Sequence, residues 1–197
     1  MRYHGIMNPM TWYRNRQTTR ANDALWRALV AGKTPPESGG VPWDPDGIEA
    51  ALAQGADPNA LAPREQLAFM ELEIKKGWRP LHRAVHADNP TLIRLLLAKG
   101  ADPTLTSEDG RLPVSDAADR FHSGTMALLL DAHLAMTGHI DPDLLAALDR
   151  TMARASKAEQ SAWATARPRF AATVQAQALD DLLTPVSPAP SKARPRL

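Results

Sequence analysis

The sequence predicts an all-α fold, a solenoid whose units each join a β-turn to a helix-turn-helix, closed by a C-terminal helical cap. Three observations carry this expectation. Gly77-Trp78-Arg79-Pro80-Leu81-His82-Arg83-Ala84-Val85 aligns with Gly110-Arg111-Leu112-Pro113-Val114-Ser115-Asp116-Ala117-Ala118, with Gly, Pro and Ala recurring at a spacing of 33. Gly55-Ala56-Asp57-Pro58-Asn59 recurs as Gly100-Ala101-Asp102-Pro103-Thr104 and marks the ends of two units. Between such marks the apolar residues fall at helical spacing, as Leu92, Ile93, Leu96 and Leu97 do.

The first unit is stretched. Asn22 to Val30 reads as its first helix with Asn22 as the cap, and Pro45 to Gln54, holding Ile48, Ala51 and Leu52, as its second. Thr34 to Pro42 between them is a loop by composition. In the next two units a turn glycine precedes Pro80 and Pro113, which suit a first helical position where no N–H partner is needed. Ala84 and Ala117 let the paired helices approach closely, and Gly100 supplies the left-handed residue that ends a second helix.

Asn59 to Gly77 spans 18 positions where Thr104 to Gly110 spans 6, so 12 residues are inserted at the β-turn. Within the insertion Arg64 to Ile74 reads as a short helix with Leu67, Met70 and Ile74 on one side. Beyond the third unit Asp141 and Pro142 look like a cap and first position for a helix carrying Leu144, Leu145, Leu148 and Met152. A last helix carries Trp163, Phe170, Val174 and Leu182 on one stripe, interrupted or kinked near Pro168. The resulting organisation is a flexible basic arm over 1–20, three units over 21–134 with insertions at 34–44 and 61–74, a helical cap over 135–183, and a Pro-rich tail over 184–197 that is disordered by composition.

Arg79-Pro80-Leu81-His82 followed by Gly100-Ala101-Asp102 resembles the ankyrin-repeat family, whose unit of about 33 residues carries a Thr-Pro-Leu-His motif and a Gly-Ala-Asp ending. Arg79 stands where the motif has Thr, and the third unit reads Leu112-Pro113-Val114-Ser115, so the hydrogen bonds those Thr and His side chains make in the family are weakened or lost. The resemblance implies that turn tips and first helices form a concave partner surface. On that implication Lys75, Lys76, Trp78, His86, Arg111, Asp119 and Arg120 are the expected partner-binding residues, with the insertion 61–74 setting specificity. Trp and Arg are the residue types that dominate binding energy at such surfaces.

Composition narrows the function. The 197 residues carry a formal charge of +1, which removes any global electrostatic case for nucleic acid or an anionic membrane. With no cysteine there is no disulfide, thiol nucleophile or iron–sulfur cluster. No apolar run approaches the roughly 18 residues of a membrane span, and the basic start Met1 to Ile6 is not followed by a signal-type apolar stretch, so a cytoplasmic location is expected. Arg outnumbers Lys 17 to 6 and Ala supplies 34 residues, a bias that fits a GC-rich, bacterial or phage coding sequence.

Candidate chemistry is sparse. His82 and His86 stand four apart on a helix, but two ligands without a placed third do not make a metal site, and the family motif explains His82 structurally. No carboxylates can be placed as general acid and base, and no phosphate-binding or nucleophile motif is present, so neither an enzyme nor a cofactor is expected. Trp26 and Trp163 read as core, while Trp43 in its Pro-rich loop reads as either satellite core or exposed anchor. Charge is segregated: residues 1–22 hold +4, 34–73 hold −7 and 184–197 hold +3. Opposed patches favour protein recognition, so a non-enzymatic module that masks a protein partner is expected, as inhibitor, immunity protein or delivered effector. The alternative is nucleic-acid association through the basic ends, where Arg14 and Arg16 adjoin Trp12 and Tyr13.

Overall fold

The computed structural model describes residues 9–30, 43–62 and 77–183, and within them every regular element longer than one residue is helical. Eight helices follow in order among the described residues: α1 Pro9–Val30, α2 Pro45–Ala53, α3 Pro80–His86, α4 Pro90–Ala98, α5 Pro113–Asp119, α6 Ser123–Thr137, α7 Pro142–Met152 and α8 Lys157–Leu183. The pairs α1/α2, α3/α4 and α5/α6 are three successive units, and α7 and α8 close the end.

Local chemistry sets the starts. Proline opens α2, α3, α4, α5 and α7, where a missing N–H costs nothing. Asp44, Asn89 and Asp141 cap α2, α4 and α7 by accepting from the N–H groups of Gly47, Leu92 and Asp143 at 3.1, 3.0 and 2.8 Å. α6 has no side-chain cap of its own; the Glu159 carboxylate, from the first turn of α8, accepts the Ser123 N–H at 2.9 Å and takes that role. Those bonds from Ser123 hold the Glu159 carboxyl below the usual range.

Units are stapled through their turns. The α2 and α4 ends wrap alike, with Ala56 N–H on Ala51 O at 3.0 Å and Ala101 N–H on Leu96 O at 2.9 Å, around Gly55 and Gly100 at φ +90° and +91°. Asn22 Oδ1 accepts the Asp57 N–H at 2.8 Å, and Asn59 Oδ1 accepts the Asp102 N–H at 2.8 Å. Asn59 Nδ2 also donates to Gly100 O at 3.1 Å. The Glu108 N–H reaches back to Gly77 O at 3.1 Å.

The core runs through the stack as one cluster, from Leu25, Leu29 and Ile48 through Leu81, Leu92, Ile93 and Leu96 to Met126, Leu129 and Leu130, and on to Ile140 and Phe170 under the cap. Burying each such side chain stabilises by about 1.5–3 kcal/mol before entropy is counted. Trp26 and Trp163 are buried, and Trp163 stacks on Phe170 with centroids 6.1 Å apart. Trp43 packs partly buried against the core, which favours its satellite-core reading. Asp149 ties α7 to α8, accepting from Trp163 Nε1 at 2.9 Å and from Arg167 Nε at 2.8 Å. Burial pushes its carboxyl up, but those bonds outweigh burial and leave it below the ordinary value.

Several expectations are corrected. The first helix begins at Pro9, not Asn22, so residues 9–20 of the expected flexible arm are helical; no Gly or Pro interrupts the chain from Met10 to Val30. Asn22 is thus not a cap but the staple to Asp57. α8 runs unbroken through Pro168. Pro168 and Ala164, whose carbonyl loses its donor, both lie on the exposed side, where water substitutes. Leu182 is 82% exposed and off the buried stripe, because α8 outruns the core beneath it. The hairpin loop 34–42, the expected helix 64–74 and the tail 184–197 lie outside the described residues. Two residues that the sequence reading passed over, Asp88 and Phe121, take positive φ at equivalent turns 33 positions apart.

Candidate partner-binding site

The first helices of units two and three, α3 and α5, stand side by side, and Trp78, His82, His86, Arg111, Asp116, Asp119 and Arg120 surround a cavity of about 290 Å³ between them. Repetition itself produces this arrangement. Trp78 and Arg111 each follow the turn glycine of their unit, so the alignment at 33 residues brings them to matching places on adjacent units. His82 and His86, one turn apart on α3, continue the wall.

His82 is 1% exposed and its Nε2 lies 2.9 Å from the Arg111 carbonyl oxygen. A carbonyl only accepts, so Nε2 carries the proton and Nδ1 is left as a bare acceptor. Nδ1 is buried and has no partner among the described residues. The motif Thr that would stand at the head of this helix is Arg79, whose guanidinium is committed elsewhere, to Thr106 O at 2.8 Å and Asn59 O at 2.6 Å. Burial pushes the His82 pKa down, against the opposing pull of the Arg111 carbonyl and Asp116, so the ring is neutral.

Arg111 is clasped from one side. Its Nε donates to Asp116 Oδ1 at 2.6 Å and its Nη2 to Asp119 Oδ2, which together raise its pKa, the Asp116 bond most of all. Side-chain exposure falls from Asp119 at 51% through Arg111 at 37% to Asp116 at 16%, so the clasp sinks from rim to floor. Exposed ion pairs of this kind contribute only about 0.2–1 kcal/mol; what they fix here is the orientation of the guanidinium.

Five of the seven expected residues, Trp78, His86, Arg111, Asp119 and Arg120, therefore meet around one cavity. Lys75 and Lys76 lie outside the described residues, as does the insertion beyond Ala62. Trp78 is 4% exposed and lies against His86 with ring centroids 5.0 Å apart, so it forms a wall, not a projecting anchor. Asp116 and the face of His82 were not foreseen. The signal for Asp116 was present in its spacing, three before Asp119 on one helix face and five after Arg111. Arg83 was also missed: it is 2% exposed, with Nε unpartnered among the described residues, and burial lowers its pKa. Among the described residues no group of three His, Asp or Glu is disposed to hold a metal, and no helix is long and apolar enough to cross a membrane.

Comparison with known proteins bears on the repeat at the centre of the chain. Residues 76–108 match the family model described as ankyrin repeat. The chain is 36% identical over 66 residues to the 2-5A-dependent ribonuclease of Mus musculus, covering 34% of this chain and 8% of that protein. It is 37% identical over 75 residues to the 2-5A-dependent ribonuclease of Homo sapiens, covering 38% of this chain and 9% of that one. The chain thus spans less than a tenth of the length of these curated relatives.

Proposed function

We propose that this chain, an all-α protein carrying an ankyrin repeat at residues 76–108, is a non-enzymatic module that binds and masks a protein partner through the α3/α5 face. Ankyrin repeats are interaction modules. The single observation that carries the reading to this face is the convergence of Trp78, His86, Arg111, Asp119 and Arg120 on one cavity. A fixed guanidinium, a second one with no partner among the described residues and an aromatic wall supply orientation and contact area, which is what a docking surface needs. A masking role accommodates an inhibitor, an immunity protein or a delivered effector equally, in a cytoplasmic setting.

The test is capture of partners from host lysate by the whole protein beside the Arg111→Ala/Arg120→Ala variant, with and without nuclease. Trp78 is left intact because its burial makes it part of the fold. Partners retained after nuclease and lost in the variant support the reading. Capture that survives in the variant but vanishes with nuclease, or with deletion of 1–8 or 184–197, overturns it in favour of the basic ends.

A further inference from the structure

The face that α8 turns to solvent is unlike that of an ordinary surface helix, which carries charge where it meets water. Between Ala158 and Leu179 its exposed residues include a single charged side chain, Arg169. Even that one is drawn aside: Arg169 Nη2 donates to Asp131 Oδ2 on α6 at 2.6 Å, and the guanidinium lies 4.6 Å from the Phe170 ring centroid. At the far end Leu179, Leu182 and Leu183 are 60%, 82% and 79% exposed, at spacings that gather them on one side of the last turn. Exposed apolar side chains grouped in this way mark a contact surface. None of the α8 residues lines the α3/α5 cavity, so the two surfaces are separate.

The pattern along the face identifies what covers it. Exposed positions recur from Ala158 to Leu183 in alternating steps of four and three residues, the spacing of helices that pair, and the series reads the same from either end. Side-chain size does not: it is small at the start, at Ala158, Ala162 and Thr165, and large at the end, at Leu179 and Leu183. Laid antiparallel on a second α8, Leu183 falls opposite Ala158 and Leu179 opposite Ala162, and the twofold axis repeats both matches at the other end. A parallel pair would set leucine against leucine at one end and alanine against alanine at the other, splaying the helices. Charge agrees with the antiparallel arrangement. Arg154 and Lys157 are exposed at the start of the helix and Asp180 at its end, so each basic end comes beside an acidic one and the macrodipoles oppose.

We propose that α8 is a self-recognition surface through which two copies of this chain pair antiparallel. Its 27 residues span about 40 Å, and a strip about 10 Å wide gives a footprint of roughly 400 Å² per copy. That lies at the low end of specific interfaces, so the dimer is a weak, reversible one with a dissociation constant on the order of tens of micromolar.

Sedimentation equilibrium of the full chain from about 5 to about 500 µM is expected to show monomer and dimer exchanging within that range. Leu179→Lys and Ala162→Glu, both at exposed positions, are each expected to weaken association at least ~10-fold by placing an unpaired charge in the seam, with far-UV circular dichroism and melting temperature unchanged. An equimolar mixture of the two variants is expected to regain the dimer: in the mixed pair the opposite charges meet at one end, and the native leucine–alanine contact survives at the other. A wild-type chain that stays monomeric throughout, association indifferent to either variant, or a mixture that stays monomeric would overturn the proposal. So would a chain that dimerises only after deletion of residues 184–197, which would make the tail the occupant of this face.

Discussion

Replacing Asn59 by alanine isolates what holds one unit to the next. The side chain makes two bonds across the seam, accepting the part-buried Asp102 N–H at 2.8 Å and donating to the exposed Gly100 O at 3.1 Å. The main-chain bonds of Asn59, its N–H to Asp57 Oδ1 at 2.8 Å and its O from Arg79 Nη1 at 2.6 Å, survive the substitution. Each lost bond is worth about 1 kcal/mol, somewhat less where water can replace it, so the cost is about 1.5–2 kcal/mol. Asn22→Ala removes one exposed bond, to Asp57 N–H, and puts a better helix former into α1, which offsets about 0.5 kcal/mol. Its net cost is therefore near zero to about 0.5 kcal/mol. Urea unfolding followed by far-UV circular dichroism measures both, and the melting temperature of Asn59→Ala is expected to fall by about 3–8 °C. If Asn59→Ala lies within about 0.5 kcal/mol of the wild type, or the two variants cost the same, the asparagines are not staples.

Two further outcomes follow from backbone geometry and burial. Gly77 and Gly110 share φ near +78° and +77°, but an added Cβ collides with the Glu108 side chain in the first and meets nothing within 4 Å in the second. Gly110→Ala should cost only the left-handed penalty of about 1–2 kcal/mol, and Gly77→Ala clearly more, because the Glu108 main chain is pinned to Gly77 O; equal melting temperatures would contradict the clash. Burial lowers the pKa of both His82 and His133, so the folded state refuses protons that the unfolded chain accepts below about pH 6.5. Stability is thus fully present above that value and lost as pH falls toward the depressed folded values; thermal melts between about pH 7.5 and about pH 5.5 should show the loss, and His82→Gln should reduce it. A melting temperature that is flat or rises on acidification would refute the neutral-ring assignment.

Much of this was legible because the repeat writes each turn twice. Gly77 and Gly110, Pro80 and Pro113, Asp57 and Asp102 announced their roles by recurrence, and recurrence also places Trp78 beside Arg111, whereas Asp116 and the His82 face of the cavity went unforeseen. What stayed hidden had no local signature. Asn22 looked like a cap because Asn caps helices, yet its partner is Asp57, 35 residues away. Pro168 looked like an interruption or a kink, and the interruption is absent because propensity counts the lost donor and not whether water can reach the orphaned carbonyl. The burial of Trp78 is a property of its surroundings, and no spacing rule reports it. Positive φ at Phe121 likewise belongs to the turn, which imposes it on whatever residue stands there.

The cavity lies across a seam, with His82 and His86 on one unit and Arg111, Asp119 and Arg120 on the next. A ligand that touches both sides therefore works as a clasp on two stacked plates, and its binding energy adds to whatever keeps the plates in register. By the same reciprocity, loosening the register at Asn59, outside the cavity, would tax the proposed binding inside it. The solenoid would in this sense be a spring whose stiffness at one joint a bound guest sets: saturation at a hundred times the dissociation constant would tighten that joint by about 2.7 kcal/mol.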